Sequence, residues 1–465
     1  MSSTASAPDA VGARSPLARI SSWFKERVGS ENDESLAGGV LRAWQRELDA
    51  CAREQGGPVA ARARARELID LYLAMNAATR LEALKVFATR LGPNPEEIAA
   101  AAARHARVLD SAEQWQAELT LRAALASPRA RVIRQFGAAP DGVRFLVDLR
   151  ADLLGRLEEA PELAVLEDEL ALQLGDWFDV GFLELKRLSW ESPAHVLEKL
   201  MQYEAVHEIR SWADMKNRLD HDRRVYAFFH PRLKDEPLVF VEVALTETIA
   251  GNVQAILDEG APLFDPRRAR AAMFYSISST QEGLRGISFG NFLIKRVVED
   301  LQRDFPRLLQ FSTLSPMPGF SRWLSTIDGV PAALRDALGR PDWTDDAKLC
   351  AEMRAPLMSL AAQYLLEAKR GTGRDAALAQ PLDAVARFHL GNGARAERLQ
   401  WLADRSPRGL SQSHGLMVNY LYDLDEIEAN VTCLSTAGEV AAGPRMQRLA
   451  QIGARMRSET IGSTG

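Results

Sequence analysis

Near residue 205 the texture of the chain changes, and that change constrains the fold more than any other feature. From about 37 to 205 the sequence is dense in Ala, Leu, Arg and Glu, with apolar residues recurring at helical spacing, as in ARARARELIDLYLAMNAATRLEALKVFATRL. This pattern predicts an all-α bundle of about seven or eight helices. In GPNPEEIAAAAARHARVL, Asn94 suits an N-cap, Pro95 the first helical position and Glu97 the reach-back position of a capping box, so one helix is expected to begin near 95. The sequence shows no self-similarity at a fixed period of about 20 to 50 residues, which argues against a solenoid.

Beyond 205 the chain becomes β-branched and aromatic. RRVYAFFHP and EPLVFVEVALT read as strands, and the polar RLKDE between them suits a hairpin. AAMFYSISST (271–280) is a third strand and LLQFSTLS (308–315) a fourth. Between them GNFLIKRVVEDLQRDF (290–305) carries Phe292, Leu293, Val297, Val298 and Leu301 on one helical face, which makes a βαβ unit. Helical segments return around 330–370, a loop KRGTGRD follows, and GLMVNYLYDL reads as a late strand. The expected organisation is therefore α+β and multidomain. A disordered tail (1–36) precedes a helical domain (37–205) suited to oligomerisation; a mixed α/β domain (206–455) and a short tail (456–465) follow.

Composition narrows the function. The 465 residues are 46% hydrophobic and 26% charged, as in an ordinary soluble protein of two to three domains. A formal net charge of −6 lacks the broad basic face that a nucleic-acid partner requires, so any phosphate site should be local. No apolar run reaches the length of about 18 residues needed to span a bilayer. The amino-terminal MSSTASAPDAVGARSPLAR lacks the apolar block of a secretory signal, a transit peptide being the minor alternative, and SETIGSTG is no peroxisomal address. Cys51, Cys350 and Cys433 match neither a disulfide framework nor a metal-ligand spacing, which points to a reducing compartment. A cytoplasmic protein is expected, with no membrane partner.

The stretch FYSISSTQEGLRGISFGNFLIKRVVEDL passes from strand to helix through a turn holding Gly283, Gly286 and Gly290. Such a turn presents unpaired N–H groups and the positive end of a helix dipole, and glycines let a diphosphate approach the backbone. The ATP-type GxxxxGK[ST] and the dinucleotide GxGxxG are both missing. RGISFG resembles the coenzyme A loop [QR]xxGx[GA] of the GNAT acyltransferases: Arg285 and Gly290 fit, whereas Ser288 stands where that pattern has its first glycine. On spacing alone, a glycine-containing connection without a ligand is the simpler explanation of the turn.

Longer blocks add to this. HPRLKDEPLVFVEVALTETIAGNVQAIL, FYSISSTQEGLRGISFGNFLIKRVV, FSTLSPMPGF, FHLGNGA and RGLSQSHGLMVNYLYDL, in that order, resemble the malonyl-CoA decarboxylase family, and YEAVHEIRSWADMKNRL at the domain junction matches as well. The resemblance implies a helical domain followed by a GNAT-like catalytic domain. It implies cleavage of malonyl-CoA to acetyl-CoA and carbon dioxide without metal or organic cofactor, a place in fatty acid metabolism, and a homotetramer built as a dimer of dimers. Carried over residue by residue, the coenzyme A segment falls on Glu282, Gly283, Leu284, Arg285, Gly286, Ile287 and Ser288. The catalytic serine falls on Ser312, with Ser315 the other serine of the same short block. The catalytic histidine falls on His389, and Tyr422 matches a tyrosine of the pocket.

Loss of carbon dioxide from a malonyl thioester leaves an enolate, which fixed hydrogen-bond donors stabilise. The Ser312 hydroxyl and backbone N–H groups at the strand end are the expected donors, and His389, with an ordinary pKa near 6.5, is suited to deliver the proton. The alternative division makes the serine the immediate proton source with the histidine behind it. Tyr420 and Tyr422 share a strand face, as either a core or a pocket wall requires. RRARA (267–271) either meets the coenzyme's 3′-phosphate or lies on a solvated loop. Two other classes fit the same loop: an acyltransferase with an amine or hydroxyl acceptor, and a non-catalytic acyl-CoA sensor.

Overall fold

The computed structural model describes residues 33–108, 111–287, 293–370 and 380–463. They form two compact units, one of 33–178 together with 281–287 and one of 179–280 together with 293–463. The boundary falls at Phe178, earlier than the change of texture near 205, because the first strand pairs within the second unit. The expected amino-terminal tail lies mostly outside the described residues.

The first unit is helical. Its α-helices are α1 (Asp33–Ala52), α2 (Gly57–Ala74), α3 (Ala77–Arg90), α4 (Pro95–Arg107), α5 (Ser111–Leu125), α6 (Pro128–Ala138), α7 (Gly142–Leu154) and α8 (Ala164–Trp177). Asn94 caps α4 by accepting from the Glu96 N–H, and Pro95 opens the helix. Glu97 reaches back to the Asn94 side-chain amide at 3.2 Å rather than to its backbone, so the box closes between side chains. The interior is stitched by edge-to-face aromatics: Trp44 meets Phe87, Phe87 meets Phe136, and Phe145 meets both Phe136 and Tyr72, with centroids 5.2 to 6.2 Å apart. No described helix is long and apolar enough to cross a membrane.

The second unit is built on a mixed sheet. Its elements, in chain order, are β1 (Glu184–Leu188), α9 (Ala194–Tyr203), α10 (Trp212–Arg218), β2 (Arg223–Phe229), β3 (Pro237–Thr246), α11 (Val253–Leu257), β4 (Ala271–Ser279), α12 (Leu293–Asp304), β5 (Gln310–Thr313), β6 (Ser315–Pro316), α13 (Phe320–Thr326), α14 (Ala332–Leu338), α15 (Ala347–Glu367), β7 (Lys369–Arg370), β8 (Gln380–Pro381), α16 (Ala384–Gly391), β9 (Arg395–Gln400), α17 (Pro407–Ser413), β10 (Met417–Tyr422), α18 (Ile427–Ala437) and α19 (Pro444–Ser463). The sheet order is β1-β2-β3-β4-β5-β10-β6, with β9 also on β10 and β7–β8 a separate ribbon. The hairpin expected around RLKDE joins β2 to β3, and β4, α12 and β5 make the expected parallel βαβ unit. This is the helical-then-mixed α/β architecture expected from the sequence.

Two features differ from that expectation. The segment from 456 is no tail: α19 runs to Ser463, and a Cβ on Gly329 would stand 2.5 Å from the Arg457 carbonyl oxygen. The strands β1 and β9 also escape sequence reading, since ELKRL and RAERLQ are largely charged and carry no β-branched residue.

A buried ionic knot ties α10 to β3. Arg218, 2% exposed, donates to Asp214 and to Glu242, both at 2.9 Å, and Glu242 is wholly buried. Removing one partner of such a pair leaves a carboxylate stranded in a low-dielectric interior. Arg218→Ala is expected to destabilise this unit by about 3 to 5 kcal/mol, read as a lower urea midpoint at an unchanged slope. A loss below about 1 kcal/mol would show the knot to be dispensable.

Candidate active site

The ladder between β10 and its neighbour strand has a gap, and the site forms there. Ser312 pairs with Leu421 and Ser315 with Val418, so β5 and β6 are one strand in a single register, interrupted at Thr313–Leu314. Opposite the interruption, side chains replace the missing backbone bonds. The Tyr420 N–H donates to Thr313 Oγ1 (3.1 Å), Asn419 Nδ2 donates to the Thr313 carbonyl (2.7 Å), and the Ser312 hydroxyl donates to the Tyr420 carbonyl (3.2 Å). The register of β10 against β9 shifts at the same place, between Asn419 and Tyr420. Such irregularities re-aim side chains beside functional sites.

Ser312 is thus occupied in satisfying backbone, is fully buried, and is not brought to His389. The serine that meets the imidazole is Ser315, with Oγ 3.0 Å from His389 Nε2. Alternation explains the swap, because positions 312 and 315 of one strand face opposite sides. Ser315 also precedes Pro316, which cannot donate to a ladder, so the strand ends there and frees the hydroxyl.

His389 lies on the last turn of α16. Asp383 fixes that helix: one carboxylate oxygen accepts from the Val385 and Ala386 N–H groups, and the other accepts from the Tyr364 hydroxyl at 3.0 Å and the Gly319 N–H at 3.3 Å. Asn392–Gly393 closes the helix; Gly393 has φ +82°, and a Cβ there would stand 2.6 Å from the Ile427 carbonyl oxygen. The imidazole stacks on Tyr420 (centroids 4.7 Å), and its Nδ1 lies 2.8 Å from the Tyr422 hydroxyl. The two tyrosines on one strand face therefore both line the imidazole.

A chain of hydrogen bonds results, from Thr313 through Ser315 and His389 to Tyr422. The Ser315 hydroxyl donates to Thr313 Oγ1, so the Nε2–H donates to Ser315 and the Tyr422 hydroxyl donates to Nδ1. A chain of this kind can pass a proton. Burial holds the groups neutral: it lowers His389 from 6.5 to about 3, and it raises the Tyr422 and Tyr420 phenols well above their ordinary range. An imidazolium donor, as expected from an unperturbed pKa, is not the resting form.

Beside this chain the sheet opens. The parallel ladder of β4 with β5 ends at Phe274–Thr313, whereas β4 continues along β3 to Ser279–Val239. Beyond Phe274, that edge of β4 has no described strand beside it. An extended amide chain can pair with such an edge.

The turn after β4 belongs to the helical unit. Glu282–Leu284 forms a 3₁₀ turn with Gly283 and Leu284 buried; Glu282 and Arg285 are exposed and paired at 2.5 Å; Gly286 has φ +80°; and Ile287 donates to the Leu284 carbonyl. A Cβ on Gly283 would collide with the Val147 carbonyl of α7, so this glycine is required by packing. Ser288 and Gly290 lie outside the described residues. In RRARA, Arg267 pairs with Asp265 and Arg268 with Glu247, as on the solvated-loop reading. No group of three or more His, Cys, Asp or Glu suited to a metal occurs among the described residues.

A buried serine–imidazole–phenol chain beside an open sheet edge is an arrangement that can move a proton. The model of the malonyl-CoA decarboxylase C-terminal domain matches residues 181–460, and that of the N-terminal domain matches 91–178. The mitochondrial malonyl-CoA decarboxylase of Mus musculus is 42% identical over 70% of this chain and 71% of its own, and that of Anser anser anser is 36% identical over 87% and 86%. The crystal structure of malonyl-CoA decarboxylase from Rhodopseudomonas palustris superposes with a TM-score of 0.79 at 41% identity, covering 87% of this chain and 99% of that one; the Agrobacterium vitis structure gives 0.80 at 41%, covering 88% and 99%. The chain belongs to the malonyl-CoA decarboxylase family.

The buried imidazole carries a signed pH effect. Its folded pKa is depressed, so the unfolded chain takes up the extra proton and His389 costs the fold stability as pH falls below 6.5 towards about 3. Between pH 7.5 and 4.5 the wild type should lose about 2 to 3 kcal/mol more than His389→Asn in urea titrations. Equal losses would mean that the imidazole is not held neutral.

Proposed function

We propose that this chain converts malonyl-CoA to acetyl-CoA and carbon dioxide, and that the reacting end of the substrate lies at Ser315 and His389. The observation that carries the reading is the buried chain Ser315–His389–Tyr422 at the interrupted strand, in a protein of this family. Cleaving the bond to the carboxylate leaves its electron pair on the thioester as an enolate, and the thioester carbonyl is itself the electron sink. No metal or organic cofactor is needed to accept those electrons. The Ser315 hydroxyl, swung from Thr313, donates to the enolate and passes a proton to its carbon; as the His389 Nε2–H moves to the serine oxygen, the Tyr422 hydroxyl proton moves to Nδ1, so the imidazole stays neutral and Tyr422 is the group that solvent reprotonates. Solvent then returns the one proton that the reaction consumes. Neutral groups suit this task, since a buried cation would be costly to hold between turnovers.

Coenzyme A is proposed to be held through Glu282, Gly283, Leu284, Arg285, Gly286, Ile287 and Ser288. We also propose a homotetramer and a cytoplasmic setting; the free cysteines fit a reducing compartment.

Incubated alone with a chelator, malonyl-CoA should yield acetyl-CoA and carbon dioxide in equal amounts; turnover that appears only on adding an amine would point to acyl transfer. In steady-state kinetics, Ser315→Ala and His389→Asn should each lower kcat by about a hundredfold or more, and Tyr422→Phe by about tenfold. Ser312→Ala should change kcat by less than about threefold while lowering Tm. A dead Ser312→Ala beside an active Ser315→Ala would reverse the assignment.

A further inference from the structure

Arg150 on α7 is buried, yet it makes no use of its charge in the reacting chain. Its Nε and Nη2 both donate to Glu167 Oε1, at 3.0 and 2.6 Å. Its Nη1 donates to two carbonyl oxygens of the turn after β4, those of Gly283 (2.7 Å) and Arg285 (2.9 Å). A buried guanidinium spent on two carbonyls of one short turn fixes how those peptides are rotated. In a trans peptide the C=O and the following N–H point to opposite sides. Drawing the Arg285 carbonyl inward therefore turns the Gly286 N–H outward. That N–H has no acceptor among the described residues, and Gly286 is exposed at φ +80°, a conformation that leaves its backbone uncovered. The Leu284 N–H, in contrast, is taken by the Gln281 carbonyl.

We infer that Arg150 is a positioning residue for coenzyme A: held by Glu167, it rotates the 283–286 peptides so that the Gly286 N–H faces the substrate's diphosphate. The inference rests on the proposed coenzyme A role of this turn. It gives the helical unit a part in substrate recognition, and it assigns Gly283 its place, since only a glycine lets the turn lie against α7 closely enough for Arg150 to reach both carbonyls.

Two substrates separate positioning from general stability: malonyl-CoA, and the malonyl thioester of N-acetylcysteamine, which has the reacting end and no diphosphate. Arg150→Met should raise KM for malonyl-CoA by about tenfold or more with kcat within about threefold, while kcat/KM for the short thioester stays within about twofold. Arg150→Lys should recover part of the loss, because an ammonium can still donate to a carbonyl. Should Arg150→Met fail to fold, Glu167→Gln, which loosens the guanidinium without removing it, should shift KM in the same direction and again only for malonyl-CoA. Parallel losses on both substrates, or full retention of the wild-type preference for malonyl-CoA, would overturn the role of Arg150. A wild type that does not prefer malonyl-CoA over the short thioester would instead overturn the diphosphate reading of the turn, and this inference with it.

Discussion

The interruption of one strand at Thr313–Leu314 is the constraint on which the site depends. A continuous ladder there would pair every backbone group and leave no room for chemistry. Instead the Tyr420 amide and carbonyl are satisfied by the Thr313 and Ser312 hydroxyls, and the Thr313 carbonyl by Asn419. The backbone accounting closes through side chains, as a buried segment requires. The strand then resumes for two residues, just long enough to set Ser315 in register opposite Val418 and under the imidazole.

Burial is the second determinant, and it acts on chemistry through charge. An exposed histidine would be part cationic near neutral pH. Enclosed by Tyr420 and Tyr422, His389 is neutral, and so are the hydroxyls on either side of it. The only negative charge proposed to enter is the substrate's own, and it leaves as carbon dioxide departs and a proton arrives. Asp383 keeps its distance from this exchange, holding the helix that bears the imidazole through caps and through Tyr364.

Much of the architecture was legible because it rests on periodicity. The helical half, the hairpin at RLKDE and the βαβ unit all follow apolar spacing, and the structure forms them where that spacing indicates. What escaped was set by tertiary context. The charged strands β1 and β9 are strands because a neighbour's edge pairs with them. The residues from 456 on were expected to be a tail because their sequence is polar, yet α19 continues through them to Ser463 and Arg457 Nε donates to the Asp328 carbonyl. Within FSTLSP, the choice between Ser312 and Ser315 needs the strand's phase relative to α16, which lies 70 residues on in the sequence and in no local pattern; Pro316 was the one local sign of where the ladder ends. Arg150 left no trace at all, being one arginine among many in an arginine-rich bundle.

The helical unit is discontinuous, since residues 281–287 complete it from within the sequence of the other unit. During synthesis, α7 and α8 emerge long before the segment that covers the Val147 backbone and receives the Arg150 donors. Until about a hundred further residues have left the ribosome, a guanidinium meant for two carbonyls has only Glu167 and water. Nascent helices of this kind wait for their last partner. Their final closure falls in the same interval of translation that delivers β4.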